Sequence, residues 1–278
     1  MSYRFGDVTV ERVVELDHWE FPAVAMFPGV TSASWPHETV DFSIATYVVR
    51  TPGTTILVDA GNGDTKQRPV LAAHHDFHAG FLDRLAGVVP PEQVDVVVCT
   101  HLHPDHPGGL TRLVDSRWVP SFPHARHLVP AAELAWVQQL AEQEWPNDRP
   151  EADLVRTYRD SVEPVLAAGL VEVVEVPLTV ARGVTVSSAP GHTAGHVVVE
   201  IDAGGAFAVI SGDAIHHEFQ FDDLSIAHSG DADPGGAHRT RRELVDRLVA
   251  RQGLLLPAHF PPARVVEDPD GGYRYEPA

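Results

Sequence analysis

One segment near the middle of the chain combines an apolar run with a dense cluster of metal-ligand side chains. Val94–Cys99 is nearly continuous in apolar residues, which is typical of a strand buried on both faces of a sheet. Open α/β folds gather their ligands at the carboxyl ends of such strands. The segment therefore indicates a sheet covered by helices, with a polar site at the end of one strand. The ten residues after the run read Thr-His-Leu-His-Pro-Asp-His-Pro-Gly-Gly and contain His101, His103, Asp105 and His106.

The side chains of this cluster are those that bind zinc, iron or manganese in proteins. Residues two apart in an extended segment project to the same side, so His101 and His103 can contact one ion together. Pro104 then turns the chain toward a neighbouring position. A metal site needs more ligands than this segment supplies, and further candidates follow other strand-like runs. These candidates are His192, Asp213 and His259.

The full pattern resembles the signature of the metallo-β-lactamase superfamily over about residues 40–260. The resemblance implies an α/β fold of the αββα type, the metallo-β-lactamase sandwich, in which two mixed β-sheets are flanked by helices. The order of strand-like and helix-like segments along the chain agrees with that fold. The residues that carry the resemblance are His101-x-His103-x-Asp105-His106 and then, in order, His192, Asp213 and His259.

The resemblance implies two divalent metal ions per chain, with zinc expected and manganese, iron or cobalt as alternatives. Two ions would lower the pKa of a shared water, and the resulting hydroxide would attack an electrophilic carbon or phosphorus. Asp59 matches an aspartate that supports such sites by hydrogen bonding. The ligands carried over are His101, His103 and His192 for one ion, Asp105, His106 and His259 for the other, and Asp213 as the bridge.

The residues after Asp213 indicate a branch of the superfamily. Gly212-Asp213-Ala-Ile-His216 and the later Asp231-Ala-Asp233-Pro234 resemble the methyl parathion hydrolase-like and lactonase-like branch. Acyl-homoserine lactonases of the closest known type carry a tyrosine where this chain has His216. We expect His216 either to donate a hydrogen bond to a substrate oxygen or to pack beneath the metals. The expected catalytic residues are Asp105, Asp213 and His216.

Together these features predict a metal-dependent hydrolase in which a metal-bridging hydroxide attacks an ester, lactone or phosphotriester bond of a small molecule. One alternative is a thioesterase that resembles glyoxalase II, and another is a persulfide dioxygenase with a single iron. A binding scaffold without enzymatic activity is disfavoured, because all seven ligand positions are filled with ligand-type residues.

Composition limits the partners of the chain. It has 20 Lys and Arg against 39 Asp and Glu, a net charge of -19, and no basic cluster, which argues against nucleic acid. No apolar run approaches the ~20 residues of a membrane span, and the first residues lack an apolar signal core. We therefore expect a cytoplasmic protein that binds a small-molecule substrate, with a homodimer as one option. The single cysteine, Cys99, rules out an intrachain disulfide.

The 278 residues are predicted to form a single domain over 1–278, with a helical insertion at about 130–169. The periodicity of the apolar residues also predicts a helix at Leu110–Val114. The aromatic residues of segment 19–36 are compatible with a substrate-facing lid or with packing on the core. Phe219 and Phe221 are candidates for the wall of an apolar pocket.

Overall fold

The computed structural model describes residues 1–269 and 272–278, within which strands form most of the chain's regular structure. The strands are β1 (Ser2–Phe5), β2 (Val8–Pro22), β3 (Thr39–Thr51), β4 (Thr54–Val58), β5 (Val96–Val98), β6 (Thr111–Val114), β7 (Arg117–Pro120), β8 (Arg126–Pro130), β9 (Val171–Val174), β10 (Leu178–Ala181), β11 (Val184–Ser188), β12 (Val197–Ala203), β13 (Ala206–Gly212), β14 (Leu254–Pro257), β15 (Ala263–Glu267) and β16 (Tyr273–Pro277). The helices are α1 (Ala23–Met26), α2 (Phe81–Ala86), α3 (Ala131–Ala141), α4 (Pro150–Thr157), α5 (Glu163–Ala167) and α6 (Pro234–Ala250), with a π-helical turn at Tyr158–Val162.

The chain divides into two compact units. The first comprises Met1–Tyr3, Thr9–Glu15 and Ile44–Glu175. Most of its strands belong to a seven-stranded sheet in the order β1-β2-β3-β4-β5-β8-β9, in which β4, β5, β8 and β9 run parallel. Because β4 and β5 are parallel and Val58 pairs with Val98, the residues that follow both strands emerge at the same edge.

The second unit comprises Arg4–Val8, Leu16–Ser43 and Val176–Ala278. Its sheet has the order β10-β11-β12-β13-β14-β15-β16, and among the described residues β13 and β14 pair parallel while the other neighbouring strands pair antiparallel. Helix α6 buries Leu244, Val245 and Leu248 in a core with residues of β13 and β14. The carboxyl ends of β11, β13 and β14 lie at one edge, because Ser188 pairs with Val197 and the β13–β14 register ends at Gly212 and Pro257.

The fold class predicted from the sequence is confirmed, since two large mixed sheets are each accompanied by helices. The predicted helix at Leu110–Val114 is wrong. Thr111–Val114 is β6, which pairs with β7 as a two-stranded sheet. Residues 130–169 contain α3, α4 and α5, although their status as an insertion stays a prediction, as does the single-domain boundary 1–278. Among the described residues, no helix has the length and apolar character needed to span a bilayer.

The aromatic segment 19–36 packs on apolar residues of the second unit. Phe27 is fully buried and shares a cluster with Phe42 and Phe219, against which other aromatic residues of the segment pack half-buried. Phe221 belongs to a different cluster, where it meets Phe260 and Tyr275. The two phenylalanines predicted to share one pocket wall therefore lie in separate parts of the unit, because they occupy a short helical turn, Glu218–Phe221, and not an extended strand.

Candidate metal centre

In the first unit, the predicted ligand segment begins directly after β5. His101 and His106 are buried, and their ring centroids lie 4.0 Å apart. The rings of His101 and His103 lie 4.6 Å apart, and each residue offers a ring nitrogen within 4.8 Å of the other's. Asp105 and His106 likewise offer ligand atoms within 4.8 Å of each other. The four ligand-type side chains of this segment therefore form one compact group.

Asp59, at the end of β4, orients this group. Its carboxylate accepts hydrogen bonds from the Thr100 backbone N–H at 2.7 Å and from the Thr100 hydroxyl, and it lies 2.9 Å from His106 Nδ1. Asp59 has a positive φ of 62°, which directs its side chain toward these partners instead of along the strand. Asp59 thus has the supporting position that the sequence resemblance implied.

The turn after the ligands leaves no space for a side chain. A Cβ on Gly108 would lie 1.8 Å from the carbonyl oxygen of Asn62. The loop that contains Asn62 is held by the buried Glu15, whose two carboxylate oxygens accept the backbone N–H groups of Asn62 at 2.6 Å and Gly63 at 3.0 Å. Burial raises the pKa of Glu15 to about 8. Glu15 is a buried polar support of the ligand segment that sequence reasoning missed.

In the second unit, three imidazole rings surround the carboxylate of Asp213. His259 Nε2 lies 3.0 Å from Oδ1, while His192 Nε2 and His216 Nε2 lie 3.4 Å and 3.2 Å from Oδ2. All four side chains are at least 94% buried. The Asp213 backbone N–H donates to His196 Nε2 at 3.0 Å, which fixes the start of the turn after β13.

The hydrogen bonds of these rings fit a bound cation. His259 Nδ1 lies 2.9 Å from the carbonyl oxygen of Ser43, which can only accept, so Nδ1 carries the proton. In the neutral ring, Nε2 then presents a lone pair to a carboxylate oxygen. His192 has the same arrangement, with Nδ1 3.0 Å from Asp231, and so does His106, with Nδ1 on Asp59 and Nε2 3.7 Å from Asp105. A lone pair facing a carboxylate is favourable when a cation binds both, so the donor set fits a divalent metal.

A second group in this unit has metal-ligand residue types but a different geometry. Ligand atoms of His192, His216, His228 and Asp231 lie within 4.8 Å of one another. However, the rings of His216 and His228 are stacked, with centroids 3.8 Å apart and planes inclined by 13°. Ring-nitrogen lone pairs lie in the ring plane, so those of two stacked rings run side by side and do not converge on one ion. We therefore interpret the group as support for His192 and not as a further metal site.

His216 lies beside Asp213, and its role stays a prediction. Its ring is buried, and burial lowers its pKa to about 3, so it is a neutral imidazole. The backbone N–H groups of His216 and His217 both donate to Gln220 Oε1, which holds the turn.

Burial also raises the pKa of Cys99 well above its usual range, as expected for an inert thiol.

Each of the two units therefore contains one cluster of predicted ligand residues. Sequence reasoning missed His228 and the contacts of Asp231, because nothing in their spacing marks them as partners of His192. The structure brings together His101, His103, Asp105 and His106 in the first unit and His192, Asp213, His216 and His259 in the second.

Clustered His and Asp side chains at the ends of strands could hold a metal ion, as they do in metal-dependent hydrolases. The sequence profile of the metallo-beta-lactamase superfamily matches residues 39–259, and the chain belongs to that superfamily. A search of curated protein sequences finds no match.

Several solved structures have the same fold. The hydrolase AbOPH, of the beta lactamase superfamily, is 22% identical with a TM-score of 0.84, and the match covers 100% of this chain and 96% of that one. AidC, a dizinc quorum-quenching lactonase solved with a product, is 18% identical with a TM-score of 0.80, covering 100% and 97%. A probable metal-dependent hydrolase from Staphylococcus aureus is 19% identical with a TM-score of 0.81, covering 99% of each chain.

Proposed function

We propose that this protein is a metal-dependent hydrolase that uses two divalent ions, with zinc as the expected metal, to cleave an ester, lactone or phosphotriester bond in a small molecule. The observation that carries the proposal is the carboxylate of Asp213, which has three imidazole nitrogens within 3.4 Å. The proposed ligands are His101, His103 and His192 for one ion, Asp105, His106 and His259 for the other, and Asp213 for both.

Neighbouring residues hold two of the proposed ligands in place. Ser43 holds His259, and Asp59 holds His106, so that each ring presents Nε2 without losing side-chain freedom on binding. When bound, the two ions would polarise the substrate oxygen and lower the pKa of a water molecule to near neutrality. We assign to His216, which lies beside Asp213 but outside the seven ligands, a hydrogen bond to a substrate oxygen.

The substrate class rests on the second unit and on related proteins. A cavity of about 450 Å³ in this unit has both apolar and polar residues in its lining, among them Pro28, Ile226, Asp223, His228 and Asp231. Small-molecule sites commonly have this volume, and the polar residues of the lining could bind polar groups of a substrate. AidC is described as a lactonase and AbOPH as a hydrolase, which favours a lactone or ester over a nucleic acid. The net charge of -19 favours an uncharged substrate over an anionic one.

Metal analysis tests the proposal first. Protein purified without chelator is expected to contain about two divalent ions per chain. One iron per chain would favour the dioxygenase alternative, and a chain that binds no metal under any loading condition would refute both enzymes.

Substrate class is tested on the same metal-loaded protein. Lactones, aryl esters, phosphotriesters, β-lactams and thioesters should be compared, with Asp213→Ala as the matched control in each assay. Turnover of a lactone, ester or phosphotriester that depends on Asp213 supports the proposal. Turnover confined to thioesters would favour the thioesterase instead.

A further inference from the structure

The loop formed by residues 228–233 holds His192 by both its backbone and its side chain. The Ala232 N–H donates to the carbonyl oxygen of His192 at 3.0 Å, and the Asp233 N–H donates to that of Gly191 at 2.8 Å. Asp231 Oδ1 lies 3.0 Å from His192 Nδ1. Two contacts from one short loop to His192, and a third to Gly191 before it, therefore fix the position and the ring orientation of this histidine.

The loop cannot shift easily, because Asp231 is itself anchored. Its second oxygen, Oδ2, accepts the His228 backbone N–H at 3.0 Å and lies 3.4 Å from Arg241 Nη1. The side chains of Asp231 and Arg241 are completely buried. Arg241, which lies on helix α6, donates from Nε to the carbonyl oxygen of Leu224 at 2.9 Å, so a backbone carbonyl outside the helix holds the guanidinium in place. The charge of each partner is balanced by the other within the interior.

We propose that Asp231 is a positioning residue for metal binding, which acts by setting the tautomer and the orientation of His192, with Arg241 as its fixed counter-charge. By accepting the Nδ1 proton, Asp231 leaves the Nε2 lone pair directed toward Asp213, 3.4 Å away. A carboxylate on Nδ1 also makes the opposite nitrogen a stronger donor to a metal. This inference rests on the proposed function, since it requires His192 to be a ligand.

The first unit contains an independent case of the same geometry. Asp59 lies on Nδ1 of His106 at 2.9 Å, and His106 Nε2 faces another carboxylate, that of Asp105. Asp59 was expected from the sequence resemblance to support its ligand in this way. Asp231 makes the equivalent contact with His192 from an unrelated loop. This likeness supports a role for Asp231 in orienting His192, in addition to its contact with Arg241 of α6.

Zinc competition against a chromophoric chelator tests the proposal at neutral pH. Asp231→Ala is expected to weaken one of the two zinc sites by about 10- to 100-fold, the range found when such a partner is removed. Asp231→Asn keeps an oxygen for the Nδ1 proton only if its amide nitrogen faces the His228 N–H and Arg241, which are both donors, so it should recover only a small part of that loss. Asp233→Asn is the matched control from the same loop, because its side chain is 64% exposed and faces Arg239, and it should bind zinc like the natural chain.

A second variant separates orientation of His192 from simple charge balance. Removing Asp231 leaves Arg241 buried without its partner, which destabilises the metal-free protein. Asp231→Ala combined with Arg241→Met removes both charges, so the stability of the metal-free protein should recover while the weak zinc site remains. Zinc affinity equal to that of the natural chain, in Asp231→Ala or in the double variant, would overturn the proposal. A natural chain that binds no zinc or other divalent ion would instead refute the proposed function.

Discussion

Replacing Phe27 with alanine tests whether the aromatic segment 19–36 is part of the core. The Phe27 ring is fully buried, and its centroid lies 4.7 Å from that of Phe219 and 5.3 Å from that of His228. The ring centroid of Phe42 lies 6.1 Å from that of Phe27, and those of His216 and His217 lie 6.4 Å away. Truncating a buried phenylalanine in this way costs about 3–5 kcal/mol, because apolar contacts are lost and a cavity remains.

That cost converts into a thermal shift. Unfolding entropy of about 2.1 cal/mol/K per residue gives about 0.6 kcal/mol/K for this chain, so Phe27→Ala should lower Tm by about 5–9 °C. Scanning calorimetry on the metal-loaded protein measures the shift. If the second unit unfolds by itself, its unfolding entropy is smaller than that of the whole chain, and Phe27→Ala then lowers Tm by more.

The control for this experiment comes from the same segment. Val24 is 67% exposed, so Val24→Ala should change Tm by less than about 1 °C. Phe27→Leu keeps most of the apolar volume and should give an intermediate shift. A Phe27→Ala shift no larger than that of Val24→Ala would refute core packing and restore the lid interpretation.

Three further predictions concern the site and the response to acid. Asp213→Ala should lose bound metal and hydrolysis together, as measured by metal analysis and turnover, and full turnover in that variant would contradict a shared ligand. His216→Ala should change turnover rate or substrate range with metal content unchanged, so a loss of metal would identify it as a ligand instead. Burial lowers the pKa of His127 to about 4 from 6.5, so the unfolded chain takes up a proton first as the pH falls. His127 therefore costs stability progressively between about pH 6.5 and pH 4, by about 3 kcal/mol in total, and His127→Gln should reduce that acid loss in urea unfolding. An acid loss that is the same in both proteins would show that His127 is not protonated on unfolding.

The sequence predicted those parts of the site that depend on local order. A buried strand followed by ligand-type residues predicts a site at a strand end, and the topology then brings Asp59 beside the segment that begins at Thr100 because β4 and β5 are parallel. The same reasoning placed Asp213 and His259, which follow the neighbouring strands β13 and β14. Strand ends are visible in the sequence, and their meeting at one edge follows from sheet geometry.

Supports that depend on tertiary packing could not be predicted in the same way. Glu15 lies on β2 and accepts a hydrogen bond from the backbone N–H of Asn62, which is 47 residues further along the chain. Glu133, in α3, accepts the Leu102 N–H at 2.9 Å although a glutamate in a helix is ordinarily exposed. The error at Leu110–Val114 has a related cause, because five residues of mixed character are too few to separate helical from strand periodicity.

The partners on Nδ1 explain why the two substitutions of Asp231 should differ in effect. His259 has a neutral carbonyl oxygen on Nδ1, whereas His192 has a carboxylate, so Nε2 of His192 is the stronger metal donor of the two. Asparagine at position 231 can give His192 a neutral oxygen of the kind that His259 already has, but its amide nitrogen then faces the His228 N–H and Arg241, which are donors themselves. If His259 binds metal with such a partner, Asp231→Asn should weaken the zinc site without abolishing it. Alanine provides no acceptor at all, so the ring loses its fixed tautomer as well as the carboxylate that strengthens Nε2 as a metal donor, and the larger loss of affinity follows.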